Sequence, residues 1–126
     1  MWLIYLCYFL GGGLLTNAIP HFVNGVSGRP FQSPFAQPPG QGLSSSTVNV
    51  VWGMVNLIAG YALLYLMSDF DIHKPGNAMA LGLGIFLTGL SLARILGRLH
   101  GGNPQPSHQA VQFLAFFHML STKNRT

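Results

Sequence analysis

Six residues of this chain carry groups suited to binding: His21, Asn24 and Arg29 close together, Asn49 further on, and Arg94 and Arg98 near the end of a later apolar run. An imidazole, two amides and three guanidiniums without a carboxylate suit an anionic partner. A lipid headgroup or small anionic ligand would be favoured by uncompensated cations beside a low-dielectric boundary. Arg94 and Arg98 also have a plainer use, since they lie one helical turn apart and their stems can snorkel to headgroups. The five histidines, His21, His73, His100, His108 and His118, are dispersed, with no i,i+4 pair and no His-Glu motif of a zinc site. Asp69, Asp71 and His73 alternate in a short polar stretch, where touching a divalent ion is the sharper role and keeping a turn solvated the plainer one. Cys7 is alone, so an intramolecular disulfide, CxxC chemistry and a thiolate metal cage are all excluded. No Ser/His/Asp grouping or phosphate-cradling loop can be assembled, and Gly82-Leu83-Gly84 is followed by more apolar helix. The expected catalytic and metal sets are empty, no cofactor is implied, and an enzyme is unsupported.

The elements that must position these residues follow from composition. Of 126 residues, 49% are hydrophobic and 6% charged, whereas soluble domains carry about 25% charged residues. The chain belongs in lipid. Six Lys+Arg against two Asp+Glu are too few for a basic stripe, so nucleic acid is not an expected partner. A hydrocarbon core about 30 Å thick needs roughly 20 helical residues, and three stretches supply them, at about 2–19, 48–67 and 78–97. No Lys or Arg precedes the first and no small-residue cleavage site follows it, so it is expected to be retained rather than removed as a signal peptide. Asp69, Asp71, Lys74, Pro75 and Gly76 mark the turn between the second and third. A further apolar run gives a helix at about 108–121, started by Pro104 and Pro106. It is expected to be interfacial or bundle-packed, with a short fourth crossing as the alternative. The expected fold is an all-α membrane bundle forming one domain.

Lipid supplies no hydrophobic drive for helices to associate, so small and polar positions identify their contacts. Asn49, Gly53, Asn56 and Gly60 fall on one face of the second span, and Ala78, Gly82, Gly89 and Ala93 on one face of the third. Direct packing of these two spans is the simplest expectation. With three crossings Arg29, Arg94, Arg98, Lys123 and Arg125 share one side and Lys74 takes the other, which predicts the amino terminus outside and the carboxyl terminus inside.

Between the first two spans, residues 20–47 are expected to form a long ordered loop. Prolines restrict it, glycines permit turns, and Phe22, Phe31 and Phe35 offer anchors that a merely flexible linker would not need. Ser44, Ser45, Ser46 and Thr47 are candidate caps for the second span. The pattern His21-Phe22-x-x-Gly25-x-x-Gly28-x-Pro30-Phe31-x-x-Pro34-Phe35-Ala36, continuing to Asn49 and Trp52-Gly53, resembles a group of small bacterial integral membrane proteins. The resemblance implies a bacterial inner-membrane setting and brings no activity with it. Two functions follow from the residues. The first is an accessory or scaffold subunit packing with itself or a larger membrane complex through Gly53, Asn56, Gly60, Gly82, Gly89 and Ala93. The second is a small transporter or lipid- or anion-binding protein, with the 20–47 loop as lid over His21, Asn24, Arg29 and Asn49.

Overall fold

A computed structural model of the chain describes residues 1–102 and 108–123. Helix α1 spans Trp2–Val26, and short strands β1 (Phe31–Gln32) and β2 (Leu43–Ser44) follow. Helix α2 (Ser46–Tyr61) runs on into a π-helical turn (Ala62–Leu66), and α3 (Pro75–Leu99) and α4 (His108–Lys123) complete the order. Pro104, Pro106 and Arg125 lie outside the described residues, as do the side chains of His108, Gln109 and Lys123.

Three helices, Trp2–Val26, Ser46–Leu66 and Pro75–Leu99, are long and apolar enough to cross a membrane. Their side-chain distribution is that of an integral membrane protein. Ile58 and Phe86 are 61% and 63% exposed, while Asn49 and Asn56 are 0% and 2% exposed. In water that arrangement would leave a large apolar surface solvated. In lipid it is the stable one, because tails cover leucine and phenylalanine while amides need protein partners. Helix α4 is shorter, and its apolar stretch Val111–Ser121 is below crossing length.

The first span extends beyond the expected 2–19. Pro20 removes one backbone donor, yet α1 continues to Val26 because the residues beyond it pack: His21 and Gly25 are buried, and a Cβ on Gly25 would lie 2.6 Å from the Val50 nitrogen of α2. The Asn24 side chain donates to the Pro20 carbonyl at 2.8 Å. The expected 20–47 loop therefore shrinks to the residues between Val26 and Ser46, and it is not irregular throughout. Strands β1 and β2 pair antiparallel, Phe31 opposite Ser44 and Gln32 opposite Leu43. Ser33 and Ser44 share a hydroxyl hydrogen bond at 2.6 Å, and the Gly40 amide donates to the Ser33 carbonyl at 2.9 Å. Of the four candidate caps, Ser45 takes the N-cap, accepting from the Val48 amide at 3.3 Å.

Helix α1 is the centre of the bundle, and this corrects the expectation that the second and third spans pack directly. Both α2 and α3 pack on α1, and among the described residues α2 and α3 make no comparable contact with each other. The cause is Gly11-Gly12-Gly13. Successive helical residues are turned by about 100°, so three glycines in a row open two flanks of one helix: Gly11 meets Leu64, Gly12 the Leu81 carbonyl and Gly13 the Thr88 hydroxyl. Gly84 of α3 lies against the Phe9 carbonyl, and Gly84, not Gly82, is the close-approach position of that helix.

At the end of the bundle holding the α1 amino terminus, Tyr8 donates to the Asp69 carbonyl at 3.1 Å and stands edge-on to Phe70, with 4.9 Å between ring centroids. The turn is closed by Asp71, whose carboxylate accepts from the His73 amide at 2.9 Å and lies 3.0 Å from its ring nitrogen. The backbone hydrogen bond first, and the ring contact second, hold the Asp71 carboxyl below its ordinary range. A carboxyl lowered on folding supports the turn above its unfolded pKa and loses that support as pH falls through the folded value. The His73 amide proton is therefore expected to shift with a midpoint below the ordinary aspartate value of about 3.9 when followed by NMR during acidification. A midpoint at or above that value would show that the contact does not form.

Candidate functional site

At the opposite end the hairpin, α1 and α2 meet around one amide. Asn49 sits in the first turns of α2, and its Nδ2 donates to the carbonyls of Phe31, Ser44 and Ser45 at 3.1, 3.2 and 3.0 Å. Two hydrogens are shared among three acceptors, which settles the orientation of the amide: Oδ1 is the atom facing His21 Nδ1 at 2.8 Å. The imidazole must donate from Nδ1, leaving Nε2 of the neutral ring as an acceptor. His21, on α1 directly after Pro20, is thereby held in one tautomer. Phe31 and Trp52 stand edge-on to its ring at centroid distances of 5.5 and 6.5 Å. Phe31 also approaches His100 at 5.6 Å, and Phe35 packs edge-on to Trp52 at 5.1 Å. A second amide pair lies deeper, Asn17 donating to Asn56 at 3.1 Å, while Asn56 donates to the Trp52 carbonyl at 2.8 Å.

These contacts frame a cavity of about 450 Å³. Asn17, Pro20 and His21 of α1 form one wall; Phe31, Gln32, Ser33 and Pro34, with Pro39 and Gly40, form the hairpin side; Trp52 comes from α2 and Leu92, Ile95 and Leu96 from α3. No Lys, Arg, Asp or Glu among the described residues lines it. Gln32 and Ser33 are buried, and Gln32 Oε1 is enclosed without a hydrogen-bond partner among the described residues. A shallower groove of about 420 Å³ runs between α1 and α3 past Thr16, Ile19, Gly89, Ala93 and Gly97, and shares Pro20, Leu92 and Leu96 with the cavity. The groove exists because the two helices separate along their length. They touch at Gly84 and Phe9, whereas at Gly89 the nearest atom to an added Cβ is the Thr16 methyl, at 3.8 Å.

Of the six expected binding residues the structure joins two, His21 and Asn49. Asn49 is fully buried behind the imidazole and does not line the cavity. Asn24 is engaged with its own helix. Arg29 follows α1 as an exposed residue whose amide donates to the Asn24 carbonyl at 2.9 Å, and Arg94 and Arg98 are exposed on α3. None of the three arginines reaches the cavity lining, so the cationic site expected from their types is not assembled there.

The packing residues divide as well. Gly53, Asn56 and Gly60 are buried against α1, where Gly53 meets Phe22 and Gly60 meets Leu15. Gly82 has nothing within 4 Å of an added Cβ, Gly89 has only the Thr16 methyl, and Ala93 is exposed at the α1–α3 groove. These three do not form a packed face against α2. The third span does turn a small residue to its neighbour, but one register step away, at Gly84.

Sequence reasoning passed over Gln32, Trp52, Asn17 and the α3 wall of Leu92, Ile95 and Leu96. Asn17 carried a usable signal as an amide within an apolar span, since such residues seek protein partners. Gln32 carried little, being one polar residue in a stretch full of them. Among the described residues no three or more His, Cys, Asp or Glu side chains come together as a metal site. No protein-family model, curated protein or solved structure matches the chain.

Proposed function

We propose that this chain is a non-catalytic membrane protein that takes a small amphipathic molecule from the bilayer into the cavity beneath the β1–β2 hairpin, which serves as its lid. The observation that carries the reading is that a partly open cavity without charged lining residues among those described shares Pro20, Leu92 and Leu96 with a groove open between two membrane helices. An apolar body can move along the groove without leaving a lipid-like environment, and a polar head can end against His21 and Gln32. Binding cavities of this kind are mostly apolar with a few placed polar groups. Arg29, Arg94 and Arg98 cluster toward the hairpin end and Lys74 lies at the other, so the positive-inside rule puts the lid on the cytoplasmic side of a plasma membrane. A bacterial inner membrane fits that orientation.

Filling the cavity tests the reading. Native mass spectrometry of the protein released gently from its own membrane is expected to show a retained small molecule on the wild type, absent from Leu96→Trp of unchanged helicity. A wild type without any retained molecule, or a variant that keeps it, would overturn the proposal. A second reading, an accessory subunit docking on a larger membrane complex or on copies of itself, is favoured by the open face of α3 around Gly82. Its mark would be a co-purifying protein lost in Gly82→Leu and retained in Leu96→Trp.

A further inference from the structure

We infer that a second cavity, at the end of the bundle away from the hairpin, binds the headgroup of an ethanolamine phospholipid, Lys74 receiving the phosphate and Asp69 the ammonium. The cavity holds about 330 Å³, and its lining includes Tyr5 and Tyr8 of α1, Asp69 and Lys74 of the α2–α3 turn and Asn77 of α3. It lies where the first and third spans both begin, at the depth where headgroups surround a membrane protein. Asp69 and Lys74 put opposite charges on this one cavity, yet neither forms an ion pair with the other or with any described residue. Lys74 is also the N-cap of α3, whose first turn holds no acidic residue and whose cap makes no side-chain hydrogen bond. A cation at the positive end of a helix dipole is unfavourable until an anion joins it. The frame around the two charges is fixed by other contacts. Tyr8 donates to the Asp69 carbonyl and Asn77 to the Asp71 carbonyl, both at 3.1 Å, and the Tyr5 hydroxyl lies 3.2 Å from where a Cβ on Gly76 would stand.

A ligand of one sign answers only one of the two charges. A phosphodiester joined through two carbons to an ammonium answers both, and a lipid bearing it is already at the right depth. Ethanolamine suits the site better than choline, because a primary ammonium brings three N–H donors to a carboxylate. A trimethylammonium has none and depends on an aromatic cage. Tyr8 cannot serve in one, being 2% exposed with Tyr5 and Phe70 packed edge-on at centroid distances of 6.2 and 4.9 Å. An anionic lipid without an ammonium would satisfy Lys74 and be repelled by Asp69.

The test is native mass spectrometry of the full chain in mild detergent, titrated with phosphatidylethanolamine, phosphatidylcholine or phosphatidylglycerol carrying identical oleoyl chains. The wild type is expected to hold phosphatidylethanolamine about tenfold more tightly than either of the others, the scale of one hydrogen bond to a charged group. Asp69→Asn removes the charge and keeps the carbonyl that Tyr8 uses. It should bring the preference over phosphatidylcholine close to one and strengthen phosphatidylglycerol binding. Lys74→Gln should weaken the ethanolamine and choline lipids alike and leave their ratio unchanged. Both side chains are exposed, so lipid-free melting temperatures should stay at the wild-type value. Leu96→Trp, which fills the cavity beneath the hairpin, should leave the preference intact, so that the two sites are read separately. Equal wild-type binding of the ethanolamine and choline lipids, or a preference that survives Asp69→Asn, overturns the assignment of Asp69. Phosphatidylglycerol bound as tightly as phosphatidylethanolamine overturns the requirement for both charges. Displacement of the lipid by equimolar glycerophosphoethanolamine overturns a membrane lipid as the source of the headgroup.

Discussion

Asn49→Leu is expected to free the hairpin from the helices and lower stability by about 2 to 3 kcal/mol. The substitution nearly conserves volume, so the effect isolates the polar contacts. One amide closes the carbonyls of Phe31, Ser44 and Ser45 and accepts from His21. Leucine withdraws the side-chain partner of the Phe31 and Ser44 carbonyls and of the His21 ring at a site that is fully buried, while the Ser45 carbonyl keeps the residue-49 amide at 3.1 Å. Single side-chain hydrogen bonds between membrane helices contribute only about 0.6 kcal/mol on average, because polar groups find other partners in the unfolded state. Asn49 should exceed that average because its side chain ties α1, β1 and β2 to the start of α2 at once, although the Ser45 carbonyl keeps the backbone amide of residue 49 as a donor. Asn56→Leu, which breaks chiefly the Asn17 pair, provides the scale for an ordinary contact and should lose about 1 kcal/mol or less. Reversible unfolding in mixed micelles measures both. A loss at Asn49 no greater than that at Asn56 would show that the hairpin is held by its aromatic contacts.

Gly84→Ala should be the most damaging single-methyl change in the membrane helices, at about 3 kcal/mol, while Gly82→Ala should stay within about 0.5 kcal/mol. A Cβ on Gly84 would collide with the Phe9 carbonyl, a backbone atom that cannot rotate away, so α1 and α3 must separate along their closest contact. Gly82 faces open space two residues earlier. The comparison decides which face of α3 holds the bundle together, with unfolding free energy as its measure. Equal effects at the two positions would refute the register. It also fixes which variants can report on partners. Gly53→Leu would break the fold itself, since a Cβ there lies 2.8 Å from the Phe22 nitrogen, whereas Gly82→Leu disturbs nothing inside the chain and reports on docking alone.

The membrane class was legible because it is a matter of inventory: three long apolar runs and almost no charge require lipid whatever their arrangement. The buried stripe of Asn49, Gly53, Asn56 and Gly60 was legible for a similar reason, since helical spacing alone puts four polar or small residues on one face. Periodicity states that a face is in contact but not with what. The stripe on α2 meets α1 instead of α3, and the small-residue pattern of α3 pointed to Gly82 when Gly84 makes the contact, because several registers of glycines satisfy the same spacing. The first helix passed Pro20 because tertiary burial of His21 and Gly25 outweighs one missing backbone donor. The cavity needed the tertiary structure altogether. Its walls come from four segments distant in the chain, its imidazole is held by an amide on another helix, and the arginines that looked most like binding residues lie outside it. Residue types along one chain determine which solvent it needs and which faces must be covered. Only the packing of helices at particular glycines determines where a gap is left and which residues line it.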